Sequence, residues 1–169
     1  MQDAGRIPKE SAVSILHLAS WIMHHEIMVE KTKKRVLFIC THNSARSQMA
    51  EGLLRTMYGD EYDVYSAGTQ PSNVNPHAAG VMSEIGIDIS SHRSKTVDEL
   101  HDMEFDYVVT VCDHAKETCP FFSGGKKYLH QSFEDPSRFR GTEEEILNGF
   151  RQVREDIKSW IQETFSRRN

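Results

Sequence analysis

The chain has 169 residues, of which 38% are hydrophobic, and its formal net charge is −5 at pH 7. This length suffices for one domain with a buried core, while an acidic chain is poorly suited to nucleic acid as its main partner. No apolar stretch is long enough to span a membrane, so no membrane association is expected.

The first 34 residues are predicted to be an N-terminal extension, with the main domain covering 35–169. Apolar residues recur at helical spacing after Ser11, which favours a short accessory helix. Translation that begins naturally at Met28 is an alternative interpretation, and a docking helix for a partner is another. An amphipathic pattern alone is weak support for docking, so we favour the first two interpretations.

A strand, a loop and a helix form the most informative stretch. Val36–Ile39 is an apolar run that predicts a buried strand, and Ser47–Met57 predicts an amphipathic helix. Cys40 and Arg46 stand between them in the pattern Cys-x5-Arg. Backbone N–H groups at a strand end and a helix start lack partners, and in a curled loop they converge on one point. Such a loop is suited to a tetrahedral oxyanion.

The side chains of this loop also suit an anion. Arg46 offers a planar fork that can hold two oxygens, and the same positive field favours Cys40 as its nucleophilic thiolate. Asn43 tolerates a left-handed backbone, while Ser44 and Ser47 can donate hydrogen bonds to the sulfur or the anion. An inert buried cysteine is the alternative. We call residues 40–47 the anion loop, and its predicted oxyanion-binding residues are Thr41, His42, Asn43, Ser44, Ala45, Arg46 and Ser47.

The segment VLFICTHNSARSQMAEG, which starts at Val36, closely resembles the opening of the low-molecular-weight protein tyrosine phosphatase superfamily. It is most similar to the arsenate reductase branch, and the resemblance extends over about residues 34–165. A nucleotide P-loop is excluded, because no Gly-Lys-Ser/Thr follows the loop.

The middle of the chain contains a second predicted strand, Asp63–Thr69, and a helix that Pro76 opens and Gly86 stops. The following basic segment, His92–Lys95, is interpreted as a solvated loop, since charge runs are usually surface. In some arsenate reductases a nearby site holds potassium. Here the basic segment would put its own cations there, so no metal ion is predicted.

Phe105–Cys112 is a continuous apolar run typical of a strand in a parallel sheet. It ends at Cys112 as the first strand ends at Cys40. Ligands gather at the carboxyl ends of strands in open α/β sheets, so the two thiols are expected to meet at one crevice.

The third cysteine, Cys119, lies seven positions after Cys112. In a continuous helix the two would be ~10 Å apart along the axis, whereas a disulfide needs Cα atoms within ~7 Å. A bridge therefore requires this segment to unwind. An odd number of unevenly spaced cysteines favours reactive thiols in a reducing cytoplasm, and the spacing disfavours zinc.

Lys127–Phe133 is predicted to be the last strand, and Asp135-Pro136 follows it closely. By the resemblance, Asp135 is the general acid of the reaction; an ordinary turn aspartate is the alternative. A capping box at Thr142 then opens a long core helix. The alternation of strands and helices predicts an α/β, three-layer doubly wound domain with a four-stranded parallel sheet, like the low-molecular-weight phosphatases.

The resemblance implies arsenate reduction in which Cys40 attacks arsenic, Arg46 clamps the oxyanion and Asp135 donates a proton. Cys112 and then Cys119 would pass a disulfide outward to thioredoxin, the expected external reductant, with no bound cofactor. Phosphomonoester hydrolysis through a Cys40 phosphoenzyme is the alternative, although it leaves two cysteines without a role. A non-enzymatic sensing module is a third hypothesis.

Two departures from the tyrosine phosphatase pattern favour the reductase. Those phosphatases tend to carry an aromatic residue directly after Asp-Pro, where this chain has Ser137. They commonly have a second cysteine inside the loop, where this chain has Ala45.

Overall fold

The computed structural model describes residues 32–112 and 122–166, and the structural statements below refer to these two ranges. The predicted accessory helix and the Cys119 segment lie outside them. The strands are β1 (Lys34–Cys40), β2 (Tyr62–Gly68), β3 (Phe105–Thr110) and β4 (Gly125–His130). The α-helices are α1 (Arg46–Tyr58), α2 (Pro76–Ser83) and α3 (Glu143–Phe165), and the 3-10 turns are Val97–Leu100 and Pro136–Arg138.

The four strands form one parallel sheet in the order β2-β1-β3-β4. The inner strand β1 is the apolar run Val36–Ile39, whose four residues are fully buried, as expected for a strand covered on both faces. Because all strands run the same way, their carboxyl ends share one edge of the sheet. The predicted α/β class with a four-stranded parallel sheet is confirmed.

The helices bury the apolar stripes that the sequence predicts. Met49, Leu53 and Leu54 of α1 are at most 1% exposed, and α3 packs against both α1 and α2. The predicted capping box is present, since Thr142 and Glu145 each accept a backbone hydrogen bond from the other. None of the helices in the described ranges combines the length and hydropathy needed to cross a membrane.

The last two strands end earlier than predicted. β3 stops at Thr110, two residues before Cys112, and β4 stops at His130 rather than at Phe133. Beyond β4 the chain leaves the regular ladder, and the buried Phe133 ring packs edge-on against Trp160 at 6.1 Å between centroids. An apolar pattern cannot distinguish this tertiary packing from strand pairing. Residues 131–135 are consequently a loop at the carboxyl edge of the sheet.

Candidate active site

The anion loop joins the end of β1 to the start of α1. Ala45 is the N-cap of α1, and its side chain makes no capping hydrogen bond. The first backbone N–H groups of the helix therefore receive no acceptor from the side chain of the cap residue. Asn43 has φ +47°, the left-handed conformation that its short polar side chain tolerates. The loop therefore has the curled backbone expected for anion binding.

Two groups contact the Cys40 sulfur, which is buried with 3% of the residue exposed. The backbone N–H of Asn43 donates to Sγ at 3.1 Å, and Ser47 Oγ lies 2.9 Å from Sγ. Both contacts suit a sulfur that carries negative charge, because a thiolate is a stronger acceptor than a thiol.

The direction of the Ser47 contact follows from its neighbours. The backbone N–H of Lys95 donates to Asn43 Oδ1 at 2.8 Å, which fixes the orientation of the Asn43 amide. Asn43 Nδ2 then donates to Ser47 Oγ at 2.9 Å and to Ser66 Oγ at 2.8 Å. Since Ser47 Oγ already accepts a hydrogen from Asn43, its own hydrogen is available to donate to Cys40 Sγ.

Arg46 spans the mouth of the loop, and only 12% of its side chain is exposed. Nη1 donates to the carbonyl oxygen of Phe133 at 3.1 Å, and Nη2 lies 3.4 Å from Asp135 Oδ1. The guanidinium group thus connects the first residue of α1 to the 131–135 loop. An oxyanion seated above Cys40 would compete with the Asp135 carboxylate for this cation.

Asp135 caps the turn Pro136–Arg138 and accepts hydrogen bonds from the Ser137 backbone at 3.2 Å and from Ser137 Oγ at 2.9 Å. Partial burial acts to raise the pKa of Asp135, but the charge of Arg46 and the Ser137 hydrogen bonds outweigh it. The net pKa is lower than the ordinary value, so Asp135 is a carboxylate at neutral pH while it is paired with Arg46.

Cys112 lies beside the anion loop, and its Sγ is 3.4 Å from Thr41 Oγ1. Cys112 and Thr41 line a cleft of about 550 Å³. A smaller hollow of about 20 Å³ contains Cys40. The cleft and the hollow share three lining residues, His42, Arg46 and Asp135. The structure thus brings Cys40, Arg46, Cys112 and Asp135 together, whereas Cys119 lies outside the described residues.

The interpretation of His92–Lys95 as a solvated loop is correct for Arg93, which is exposed, but not for its neighbours, which are partly buried. Ser94 Oγ donates to the Asn43 carbonyl oxygen at 2.6 Å, and the Lys95 backbone binds the Asn43 side chain. Asn43 is fully buried, so its carbonyl oxygen and side-chain amide need hydrogen-bond partners, and this segment supplies them. A charge run alone gives no sign of this supporting role.

The buried carboxylate of Glu51 lies behind the loop and is already paired with protein cations. Arg55 Nη2 contacts one of its oxygens at 2.5 Å, and Lys95 Nζ lies 3.8 Å from the other. Ser66 Oγ also donates to this carboxylate. The negative charge of this buried carboxylate is therefore balanced by the side chains of Arg55 and Lys95.

The site thus consists of a buried cysteine in a Cys-x5-Arg loop at the carboxyl edge of a parallel sheet. This arrangement is that of α/β proteins whose anion-binding loop surrounds a cysteine. Residues 35–167 match the family described as low molecular weight phosphotyrosine protein phosphatase, and the chain belongs to this family. The resemblance inferred from the sequence is confirmed.

Relatives with assigned names refine this placement. An arsenate reductase of Halalkalibacterium halodurans is 49% identical over 125 residues, which cover 74% of this chain and 90% of that protein. A solved arsenate reductase in the phosphate-binding state has a TM-score of 0.66 at 33% identity, covering 77% of this chain and 95% of its own. A thioredoxin-dependent arsenate reductase of Corynebacterium glutamicum has a TM-score of 0.55 at 29% identity, covering 90% and 72%.

Proposed function

We propose that this chain reduces arsenate to arsenite through a cysteine relay that thioredoxin regenerates. The main support for this proposal is the position of Cys112, whose Sγ lies 3.4 Å from Oγ1 of Thr41 in the anion loop. Hydrolysis of a phosphoester needs one cysteine, whereas reduction needs a second sulfur to supply electrons. The names of the relatives support the same activity.

Arsenate binding begins with an exchange of partners at Arg46. The oxyanion takes the guanidinium fork from Asp135, while the amides of the loop bind its remaining oxygens. The displaced carboxylate then faces a negative ligand instead of a cation, which raises the pKa of Asp135. Asp135 consequently takes up the proton that a general acid must hold.

In the first chemical step the Cys40 thiolate attacks arsenic and forms a sulfur–arsenic bond. Asp135 donates its proton to the departing oxygen, which leaves as water. The hydrogen bonds from Asn43 N–H and Ser47 Oγ hold the sulfur beneath the anion. Arsenic is still pentavalent after this step.

In the second step the Cys112 thiolate attacks the Cys40 sulfur. The sulfur–arsenic bond breaks, its electron pair stays on arsenic, and trivalent arsenite leaves as the Cys40–Cys112 disulfide forms. Cys119 next attacks the Cys112 sulfur, which releases Cys40 as a thiolate and leaves a Cys112–Cys119 disulfide. A dithiol such as thioredoxin then reduces this disulfide and is itself oxidised.

The compartment follows from the same chemistry. Each exchange requires thiolates, which persist in a reducing compartment, so we propose the cytoplasm as the site of action. The Corynebacterium protein named as thioredoxin-dependent supports thioredoxin as the electron donor.

The direct test is arsenate-dependent oxidation of NADPH by the full chain supplied with thioredoxin and thioredoxin reductase. We expect turnover that Cys40→Ser abolishes. Failure of the wild type to exceed the Cys40→Ser background would refute the reductase.

The relay has a separate test in Cys119→Ser. This variant should release one equivalent of arsenite and then stop, because the Cys40–Cys112 disulfide cannot be passed outward. Mass spectrometry should find that disulfide in the arrested variant and a Cys112–Cys119 disulfide in arsenate-treated wild type. Full multiple turnover by Cys119→Ser would contradict the relay.

Phosphomonoester hydrolysis is the second candidate, and it is favoured by the approach of Arg46 to Asp135, at 3.4 Å, over the Cys40 loop. Those three residues suffice for hydrolysis through a phosphocysteine. A comparison of aryl phosphate cleavage with arsenate reduction on one preparation decides between them. Aryl phosphate cleavage much faster than arsenate reduction, and unaffected by Cys112→Ser, would favour the phosphatase.

A further inference from the structure

His92 lies behind the anion loop, half-buried, and both of its ring nitrogens have partners whose roles are fixed. Nδ1 is 2.9 Å from Gln48 Oε1, and Nε2 is 3.3 Å from Arg55 Nη1. Arginine can only donate, so Nε2 must accept.

The orientation of the Gln48 amide is fixed independently. Gln48 Nε2 lies 3.0 Å from the Asn43 carbonyl oxygen and 3.1 Å from the Arg93 carbonyl oxygen. Only the NH₂ end of the amide can satisfy two carbonyls, so the oxygen end faces His92. Nδ1 therefore carries the hydrogen, and the ring is neutral in this arrangement.

The contact between His92 and Gln48 is linked to the anion loop by the peptide group between Asn43 and Ser44. The Asn43 carbonyl accepts hydrogen bonds from Gln48 and from Ser94 Oγ, both outside the pocket. In a trans peptide the N–H of the next residue, Ser44, points opposite to that carbonyl. Ser44 lines the hollow that contains Cys40, so the bonds behind the loop direct the Ser44 N–H towards the anion site.

We propose that His92 is a positioning residue that holds the Asn43–Ser44 peptide through Gln48, and that it does so only while its imidazole ring is neutral. A proton on Nε2 would set an N–H against the guanidinium of Arg55. The ring or Arg55 must then move, and Gln48 loses a fixed partner for its oxygen. The loop would bind oxyanions more weakly as a result.

The surroundings of His92, its burial above all, oppose protonation of the ring. Burial lowers the pKa of His92 most, and Arg55 and Lys95 lower it further, whereas Glu51 and Asp88 act to raise it. The net pKa is below the ordinary value of 6.5. The ring is therefore neutral at pH 7, and weakening of the loop is expected only in the acid range below pH 6.5.

Sulfate binding to the full chain tests the proposal, because sulfate keeps both charges across this range and needs no reductant. We compare wild type with His92→Gln, a neutral side chain that can both donate and accept. The two sulfate affinities should agree within about threefold at pH 7.5. Between pH 6.5 and pH 4.0 the affinity of the wild type should fall below that of His92→Gln, by up to about fivefold, the loss of roughly one hydrogen bond. His101→Gln, at an exposed histidine, should follow wild type across the whole pH range.

His92→Leu separates positioning from space filling, since leucine is neutral but makes neither hydrogen bond. It should bind sulfate about fivefold more weakly than His92→Gln at pH 7.5. On the wild type, ¹⁵N NMR should show a protonated Nδ1 and an unprotonated Nε2 at pH 7.5. Three results would each overturn the proposal. They are parallel pH curves for wild type and His92→Gln, equal sulfate binding by the Leu and Gln variants, and the opposite tautomer of the ring.

The proposal rests on oxyanion binding by the loop and not on reduction. A chain that binds sulfate with the predicted pH dependence but fails to reduce arsenate would refute the proposed function alone.

Discussion

Asp135 and Arg46 face each other across the mouth of the anion loop, with Oδ1 3.4 Å from Nη2. The carboxylate occupies one side of the guanidinium that an oxyanion would use. In the absence of a ligand, Asp135 therefore acts as an internal competitor for the anion site.

Removal of this competitor should strengthen anion binding while it slows catalysis. We expect Asp135→Asn to bind inorganic phosphate roughly fivefold more tightly at pH 7, about 1 kcal/mol, measured by isothermal titration calorimetry. Asp106→Asn is the matched control, because Asp106 is also hydrogen-bonded and ion-paired, to Arg35 N–H and Lys126, but does not line either cavity of the site. Weaker phosphate binding by Asp135→Asn would contradict the competition.

The ion pair between Asp135 and Arg46 should make the stability of the folded protein depend on pH. The pKa of Asp135 is lower in the folded state than its ordinary value of 3.8, so its stabilisation is present above that pH. It is lost as the pH falls through the lower folded pKa. Melting curves from pH 6 to pH 2 should therefore show the wild-type advantage over Asp135→Asn shrinking below about pH 3.8. A gap that stays constant to pH 2 would show that the carboxylate charge contributes no stability.

The hydrogen bond from Ser47 to the Cys40 sulfur should set the reactivity of that sulfur. We expect Ser47→Ala to slow alkylation of Cys40 by iodoacetamide about tenfold, the effect of one hydrogen bond to a charged group. Alkylation is quantified at Cys40 by mass spectrometry, so the other cysteines do not interfere. Ser83→Ala, an exposed serine at the end of α2, is the control and should react at the wild-type rate.

Gly68 is a position where the fold leaves no room for a side chain. An added Cβ would lie 2.7 Å from the Thr41 carbonyl oxygen and 2.8 Å from the Asn43 backbone nitrogen. We expect Gly68→Ala to cost about 1–3 kcal/mol of unfolding free energy and to displace the anion loop. The change is measured by urea denaturation and by phosphate binding.

Gly80→Ala is the counterpart for this experiment. Gly80 is exposed within α2 and has nothing within 4 Å of an added Cβ. Alanine there should stabilise the protein by about 0.5–1 kcal/mol and leave phosphate binding unchanged. Equal effects of the two substitutions would mean that close packing at Gly68 does not shape the loop.

The sequence predicts the elements that carry their own local signals. The burial of β1, the start of α1, the left-handed Asn43 and the capping box at Thr142 each follow from the residue types in one short segment. The meeting of Cys112 with the loop follows from a general property of parallel sheets, in which strand ends share an edge.

The sequence does not predict contacts between distant residues where no general rule of the fold brings them together. Arg46 binds the Phe133 carbonyl, and Gln48 binds His92, but no local pattern marks either pair. The supporting role of His92–Lys95 is missed for the same reason, since it comes from the polar groups of Asn43 and not from the composition of the segment. The packing of Phe133 against Trp160 is a further contact of this kind.

The hydrogen bond between Arg46 and Phe133 joins positions 87 residues apart, and the contact of Thr41 with Cys112 joins positions 71 apart. A growing polypeptide on the ribosome thus contains the nucleophilic sulfur long before it contains the groups that surround it. We expect this sulfur to acquire its final environment only when nearly the whole domain has been synthesised and the most distant segments have closed on one another.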